Sequence, residues 1–426
     1  MNSSIKNINA IRIWDSRGNP TIETHITLNN DICGIGIAPS GASKGKKEKL
    51  ERRNINKFII NDVTDAVEII NTFLDKYFKN KKFLTLLEFD NELKNIEKQF
   101  FEGFLGSNIM VSCSFAYANT LAKNENKQLW QFLSSDNKNV YLPLPEIQIF
   151  GGGAHANNAV DIQDYMIIPN GAKNYSQSLE YCHLVYKEAG KILDKKGKRY
   201  GVADEGGYWP KFENNEEPLK LIVQAIENSN LKPGLDVSIS IDVAANEFYS
   251  NNLYNLKKDN KKLKSNELFE LIKTWTSKYP IISIEDPFNE DDTDSFKKIT
   301  NALGNKIQIV GDDLLVTNKQ LIKEAKIDNL CNTVLIKPNQ IGTISDTAEA
   351  IKQTNLNEWG SIISARSGET EDNIIMQLAV GFQIKQIKVG SFSRSERMSK
   401  WNEGLRIGSL INSYSLTDKR SFVWNK

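Results

Sequence analysis

Cysteine is scarce in this chain, with four among 426 residues. Cys33, Cys113, Cys182 and Cys331 lie far apart and form no metal-ligand pair, which suits reduced cytosolic thiols. A charge imbalance is also missing. Lys+Arg total 54 against 53 Asp+Glu, a net charge of +1 that points to no nucleic-acid or anionic-membrane partner. No apolar run reaches membrane-spanning length, and Met1-Asn-Ser-Ser-Ile-Lys6 lacks the apolar core of a secretion signal. A cytoplasmic protein without a membrane partner is expected. What is present is ordinary for a globular chain: 40% hydrophobic and 25% charged residues. The length suffices for two domains, or for one large barrel and a smaller unit.

Residues 5 to 13 and Thr21 to Leu28 alternate apolar and polar side chains, and Ile32 to Ala38 reads as a third strand. Short connections between the three predict an antiparallel meander. Pro39-Ser-Gly-Ala-Ser-Lys-Gly45 follows, too rich in glycine and serine for a regular element. Such a loop can close over a ligand and offer amides and hydroxyls to an anion. The lysines of Lys44 to Lys49 read as a solvated surface. Apolar residues at three- and four-residue spacing predict helices over Asp62 to Phe78, Leu86 to Phe100 and Ser107 to Lys123.

A second unit begins near Tyr141-Leu-Pro-Leu-Pro145. Gly151-Gly-Gly-Ala-His-Ala-Asn157 sets His155 in a glycine turn that permits close backbone approach to a ligand. His25 and His183 fall in ordinary strand and helix patterns and are read as structural. Gly201-Val-Ala-Asp-Glu-Gly-Gly207 places an acidic pair in another glycine turn. From Val237 onward, short apolar runs alternate with helical patterns to the end of the chain, the grammar of a parallel α/β barrel.

The runs end in chemistry. Val237 to Ile241 leads into Asp242, Ile281 to Ile284 into Glu285-Asp286, and Ile307 to Val310 through Gly311 into Asp312-Asp313. Thr333 to Ile336 ends at Lys337, Ser361 to Ile363 leads into Ser364-Ala-Arg-Ser367, and Lys388 lies in the last run. In a parallel barrel the C-terminal strand ends carry the active site. Three carboxylates converging there suit a hard divalent cation, with Mg²⁺ the usual occupant. A lysine beside bound cations is disfavoured as an ammonium and can serve as a general base. Arginine and cations together suit a substrate bearing carboxylate and phosphate. Glu205 and Asp164 offer a second pair, of which one can be held protonated as a general acid. The combination describes removal of a proton α to a carboxylate followed by β-elimination.

Over almost its whole length the chain resembles the enolase (phosphopyruvate hydratase) family. The resemblance rests on Asp15-Ser-Arg-Gly-Asn-Pro20, Pro39-Ser-Gly-Ala-Ser43, Asp204-Glu-Gly-Gly207, Asp242-Val-Ala-Ala245 and Ser283-Ile-Glu-Asp-Pro287. It continues through Gly311-Asp-Asp313, Lys337-Pro-Asn-Gln-Ile-Gly342, Arg366-Ser-Gly-Glu-Thr-Glu-Asp372 and Arg394-Ser-Glu-Arg397. It implies an α+β domain over residues 1–135 and a modified (β/α)₈ TIM-like barrel over 140–420, in a homodimer. It also implies Mg²⁺-dependent, reversible dehydration of 2-phosphoglycerate to phosphoenolpyruvate, with two ions per site. Asp242, Glu285 and Asp312 would hold the first ion, and Ser40 would help bind the second. Lys337 would remove the α-proton, Lys388 would stabilise the carboxylate of the intermediate, and Glu205 would be the acid, paired with Asp164. Arg366 and Ser367 would bind phosphate, with His155 and Gln163 lining the site.

Three positions depart from the family pattern. Ala365 stands where the family has histidine, Asp164 where it has glutamate, and Gly151 where it usually has asparagine. The changes gather on the leaving-group side and imply slow departure of the hydroxyl with proton abstraction intact. Two other readings fit the same residues. One is an enolase-derived enzyme forming the same enolate on a related substrate, such as a phosphonate analogue. The other is a non-catalytic enolase-like binding protein, against which the retained acids and Lys337 argue.

Overall fold

The computed structural model describes residues 3–56, 58–136 and 139–425. Strands β1 (Ile5–Trp14), β2 (Pro20–Leu28) and β3 (Cys33–Ile37) form the expected antiparallel sheet, in the order β1-β2-β3. Helices Leu86–Phe100 and Ser107–Asn124 form where the apolar spacing placed them. The first predicted helix runs from Thr64 to Phe78 but widens to a π-turn at Ile70–Leu74. Its polar side chains bind the open edge of β1: Ala10 N–H donates to Asn71 Oδ1 at 2.6 Å and Ile8 N–H to Asp75 Oδ1 at 2.8 Å. That covers an edge which would otherwise template pairing with another chain.

Helix Ser107–Asn124 lies directly on β3, and glycine sets the distance. A Cβ at Gly36 would fall 2.2 Å from the Ser112 carbonyl oxygen and 2.3 Å from the Ala116 nitrogen. Both are backbone atoms of a buried helix and cannot step aside. Gly36→Ala is therefore expected to destabilise the protein by about 3 kcal/mol through overpacking, read as a lower urea midpoint at unchanged slope.

The second unit is a closed barrel of eight strands: β4 (Leu144–Gly151), β5 (Asp164–Ile168), β6 (Ser238–Asp242), β7 (Ile281–Glu285), β8 (Gln308–Gly311), β9 (Thr333–Ile336), β10 (Gly360–Ser364) and β11 (Gln386–Gly390). Strands β6 to β11 pair in parallel in sequence order, and β11 closes on β4, also in parallel. Strand β5 alone is reversed, antiparallel to both β4 and β6. A hairpin of Arg199–Val202 and Tyr208–Pro210 hangs from β4 through the pair Phe150–Tyr208, with the turn bearing Glu205 at its tip. The β6–β11 strands are short and largely buried, as a sheet covered by helices requires.

Candidate active site

The C-terminal ends of β4 and β6–β11, together with the start of β5, make one rim. Asp242 and Glu285 are the last residues of β6 and β7, while Asp312 and Lys337 directly follow β8 and β9. Asp164 stands at the same rim because its strand is reversed: it is the first residue of β5 and pairs in register with Asp242. In an eight-membered ring β11 faces β7 and β9 faces β5, so Lys388 stands across from Glu285, and Lys337 across from Asp164.

Lys388 Nζ donates to Glu285 Oε2 at 2.8 Å and to Asp242 Oδ2 at 2.9 Å, and lies 3.7 Å from Asp164 Oδ2. Burial opposes its ammonium, but these acids outweigh burial and hold its pKa well above the ordinary lysine value. Gln163 Nε2 donates to Asp242 Oδ2 at 3.1 Å. Lys337 is paired with Asp312, whose other oxygen accepts from Gln340 Nε2 at 2.9 Å. Burial pulls the Lys337 pKa down, yet Asp312 and Glu285 raise it beyond its ordinary value, so in the unliganded protein Lys337 is an ammonium. Asp286 acts on the backbone of the same rim. Its carboxylate accepts the backbone N–H groups of Asp312 and Asp313 at 3.0 and 2.7 Å, which orients the turn carrying Asp312.

His155, on a single helical turn at Gly153–Ala156, sits between the second pair of acids. Its Nδ1 is 3.2 Å from Asp164 Oδ1 and its Nε2 is 3.8 Å from Glu205 Oε1. Burial disfavours the imidazolium, but the two carboxylates prevail and raise its pKa from 6.5 to about 9. Burial acts first on Glu205 too, and with Asp164 beside it the carboxyl is pushed above its usual range despite His155. Asp164 is the opposite case: burial raises it, but His155 and Lys388 draw its pKa down to about 2. One member of the pair is thus kept charged and the other inclined to keep its proton. The raised His155 value carries a stability consequence. Its contribution is fully present below pH 6.5 and is lost as pH rises toward about 9. The unfolding free energy of the unliganded protein, from urea titrations, should fall over that window by up to ~1.4 kcal/mol per pH unit, and His155→Gln should flatten the slope.

The serine–glycine loop lies against the other side of the rim. Ala42 N–H donates to Ser367 Oγ at 2.8 Å, and Arg366 donates to the Ser43 carbonyl at 3.0 Å, Asn339 Oδ1 at 3.0 Å and Glu48 Oε1 at 2.8 Å. Ser40 is bridged to Gly368 through both backbones, and its hydroxyl accepts from Arg53 at 3.2 Å. It makes no hydrogen bond to Asp242, Glu285 or Asp312. Glu48 lies in the stretch read as a solvated surface. Lys44, Lys46 and Lys47 are exposed as expected, but Glu48 is buried on Arg366.

The donor set fits a hard cation. Glu285 Oε1 is buried without a hydrogen-bond partner, and burial beside Asp242 holds its carboxyl pKa well above the usual range. Carboxylate oxygens are what a hard dication takes, and a bound cation would offset the mutual repulsion of Asp242 and Glu285. The three strand-end acids are nonetheless not drawn tightly together. Among the described residues, the sets with three ligand atoms within 4.8 Å of one another are His155–Asp164–Glu205 and Asp286–Asp312–Asp313. Two ammonium groups engage them instead, Lys388 bridging Asp242 to Glu285 and Lys337 pairing with Asp312.

A barrel with its second strand reversed, an α+β unit beside it, and a rim of carboxylates facing two buried lysines defines an acid–base enzyme of the TIM-barrel class. Comparison with known proteins narrows this. Residues 5–133 match the family model of the enolase N-terminal domain, and 139–423 that of the enolase C-terminal TIM barrel domain. The chain is 42% identical over 417 residues to an enolase of Ehrlichia ruminantium, covering 97% of this chain and 98% of the relative. It is 41% identical over 407 residues to an enolase of Helicobacter pylori, covering 95% of each. The chain belongs to the enolase family.

Proposed function

We propose that the protein catalyses the reversible dehydration of 2-phosphoglycerate to phosphoenolpyruvate. It is thus a carbon–oxygen hydro-lyase, with Lys337 as base and Glu205 as acid. The observation that carries this reading is the placement of the two groups: a buried lysine at the end of β9 and, across the barrel, a buried carboxyl that inclines to keep its proton. Lys337 takes the α-proton, and Glu205 gives a proton to the departing 3-hydroxyl so that it leaves as water. Asp164 and His155 fix and tune Glu205. Lys388 places positive charge where the substrate carboxylate gains electrons, and Arg366 and Ser367 take the phosphate. Gln163 orients the Asp242 side of the pocket. Purified protein given 2-phosphoglycerate and Mg²⁺ should develop the ultraviolet absorbance of a conjugated enol phosphate. No growth above a protein-free control would overturn the reading.

Asp242, Glu285 and Asp312 would hold one Mg²⁺, and Ser40 would join in holding a second. When bound, the ions supply positive charge to the substrate carboxylate and take up the carboxylate charge that keeps Lys337 protonated. Asp312→Asn should weaken Mg²⁺ binding at least tenfold by calorimetry while the circular dichroism of the fold is kept. Unchanged affinity would remove Asp312 from the ligand set. The α+β unit over 1–135, the barrel over 140–420, a cytoplasmic location and a homodimer complete the reading. Membership of the family supports them. No helix among the described residues is long and apolar enough to cross a membrane. Sedimentation equilibrium tests the dimer.

A further inference from the structure

We propose that Gln148 is a positioning residue for the acid side of the site, clasping Asp164 to the turn that carries Glu205. The proposal rests on the reading of Glu205 as the proton donor. Gln148 lies on β4 and is fully buried. Its Nε2 donates to Asp164 Oδ1, and its Oε1 accepts the backbone N–H of Gly207 at 2.8 Å. The partners leave one orientation for the amide, since an ionised carboxylate only accepts and a backbone N–H only donates. One side chain therefore spans from the strand bearing Asp164 to the turn two residues beyond Glu205.

Gly151, at the end of the same strand, has no room for a side chain that could share this role. A Cβ at Gly151 would fall 2.5 Å from Ala203 Cβ and 3.5 Å from Gln148 Nε2, so a side chain at 151 would collide with the turn and crowd the clasp. Gln148 supplies the amide that meets Asp164. The need is greater because residue 164 is aspartate. Its carboxylate is drawn back by roughly 1.5 Å, one C–C bond, from where a glutamate would place it. Asp164 Oδ2 has no hydrogen-bond partner, and Lys388 is 3.7 Å away, so Oδ1 carries the anchoring through Gln148 and His155. Freed from Gln148, the carboxylate could turn toward Lys388, and the hairpin turn would lose its tie to β4 at Gly207, keeping those at Glu205 and Gly206. Both movements displace Glu205 relative to the leaving hydroxyl, and neither touches Lys337. A displacement on the order of 1 Å at a reacting group costs about 10²-fold in rate.

The test uses Gln148→Leu, which removes both hydrogen bonds, and the near-isosteric Gln148→Glu. The second keeps the acceptor for Gly207 but loses the donor to Asp164, and it guards against a folding failure of the first. Dehydration of 2-phosphoglycerate and exchange of its α-proton with deuterated solvent are measured together. Both variants should lose about 10²-fold in kcat, with KM changed less than about threefold and exchange less than about twofold. A merely structural residue would depress both rates alike, and that outcome, or wild-type dehydration in either variant, overturns the proposal. Glu205→Gln is run in parallel. Normal dehydration there overturns the acid assignment and this proposal with it, whereas a defective Glu205→Gln beside a fully active Gln148→Leu overturns Gln148 alone.

Discussion

The Lys337→Ala variant is expected to lose exchange of the substrate α-proton by a factor on the order of 10⁴, the upper range for removing a general base. Dehydration should fall with it, because no carbanion forms to expel the hydroxyl. The expectation rests on how firmly the fold places this amine. Lys337 directly follows β9 and precedes the short helix Pro338–Ile341. Its backbone N–H donates to Thr317 Oγ1 at 2.8 Å, and Thr317 in turn binds Gln340 Oε1 at 2.6 Å. The side chain alone is removed by the substitution, and Asp312 keeps its hydrogen bond from Gln340, so the rim should stay ordered. Deuterium incorporation by mass spectrometry separates the outcomes. Exchange at the wild-type rate would move the base elsewhere, with Lys388 next in line.

Glu205→Gln gives the complementary result: dehydration reduced about 10³-fold while α-proton exchange persists. An amide at that position is close in shape but has no acidic proton to give. The turn itself is well held without the carboxyl. Ser391 N–H donates to the Glu205 carbonyl at 2.8 Å, and Tyr186 Oη donates to the Gly206 carbonyl at 3.2 Å. Loss of dehydration therefore reports on proton donation rather than on collapse of the loop. The same variant should relieve the hold of Glu205 on His155, leaving Asp164 as the nearer acid. If exchange fell in step with dehydration, acid and base would not be separable, and the two-sided reading of the site would fail.

Much of this site was legible because parallel strands punctuate the chain. Asp242, Glu285, Asp312 and Lys337 each stop an apolar run, and in a closed parallel barrel every such stop falls on one rim. Arg366 and Ser367 stand at the same rim, just past Ser364. Residues with no such signal were missed. Gln148 sits inside a buried strand and looks like an interruption of an apolar pattern. Glu48 hides in a lysine-rich stretch, and its role exists only because Arg366 meets it from more than three hundred residues away. The Gln148 amide engages the shortened Asp164 carboxylate from the neighbouring strand, a contact that no local pattern records.

The sequence by itself determined the alternation of strands and helices, the antiparallel sheet ahead of them, and the acids and lysines at strand ends. These follow from side-chain periodicity and from the local cost of placing charge inside an apolar run. The tertiary structure alone decided that β5 runs backwards, which brings Asp164, the first residue of its strand, level with Asp242, the last of its own. It also decided which charges pair: Lys388 with Glu285 across the barrel mouth, and Lys337 with Asp312. Strand direction and partner choice are set when the sheet closes on itself, and ring closure is a contact between residues too far apart in the chain for any local pattern to record.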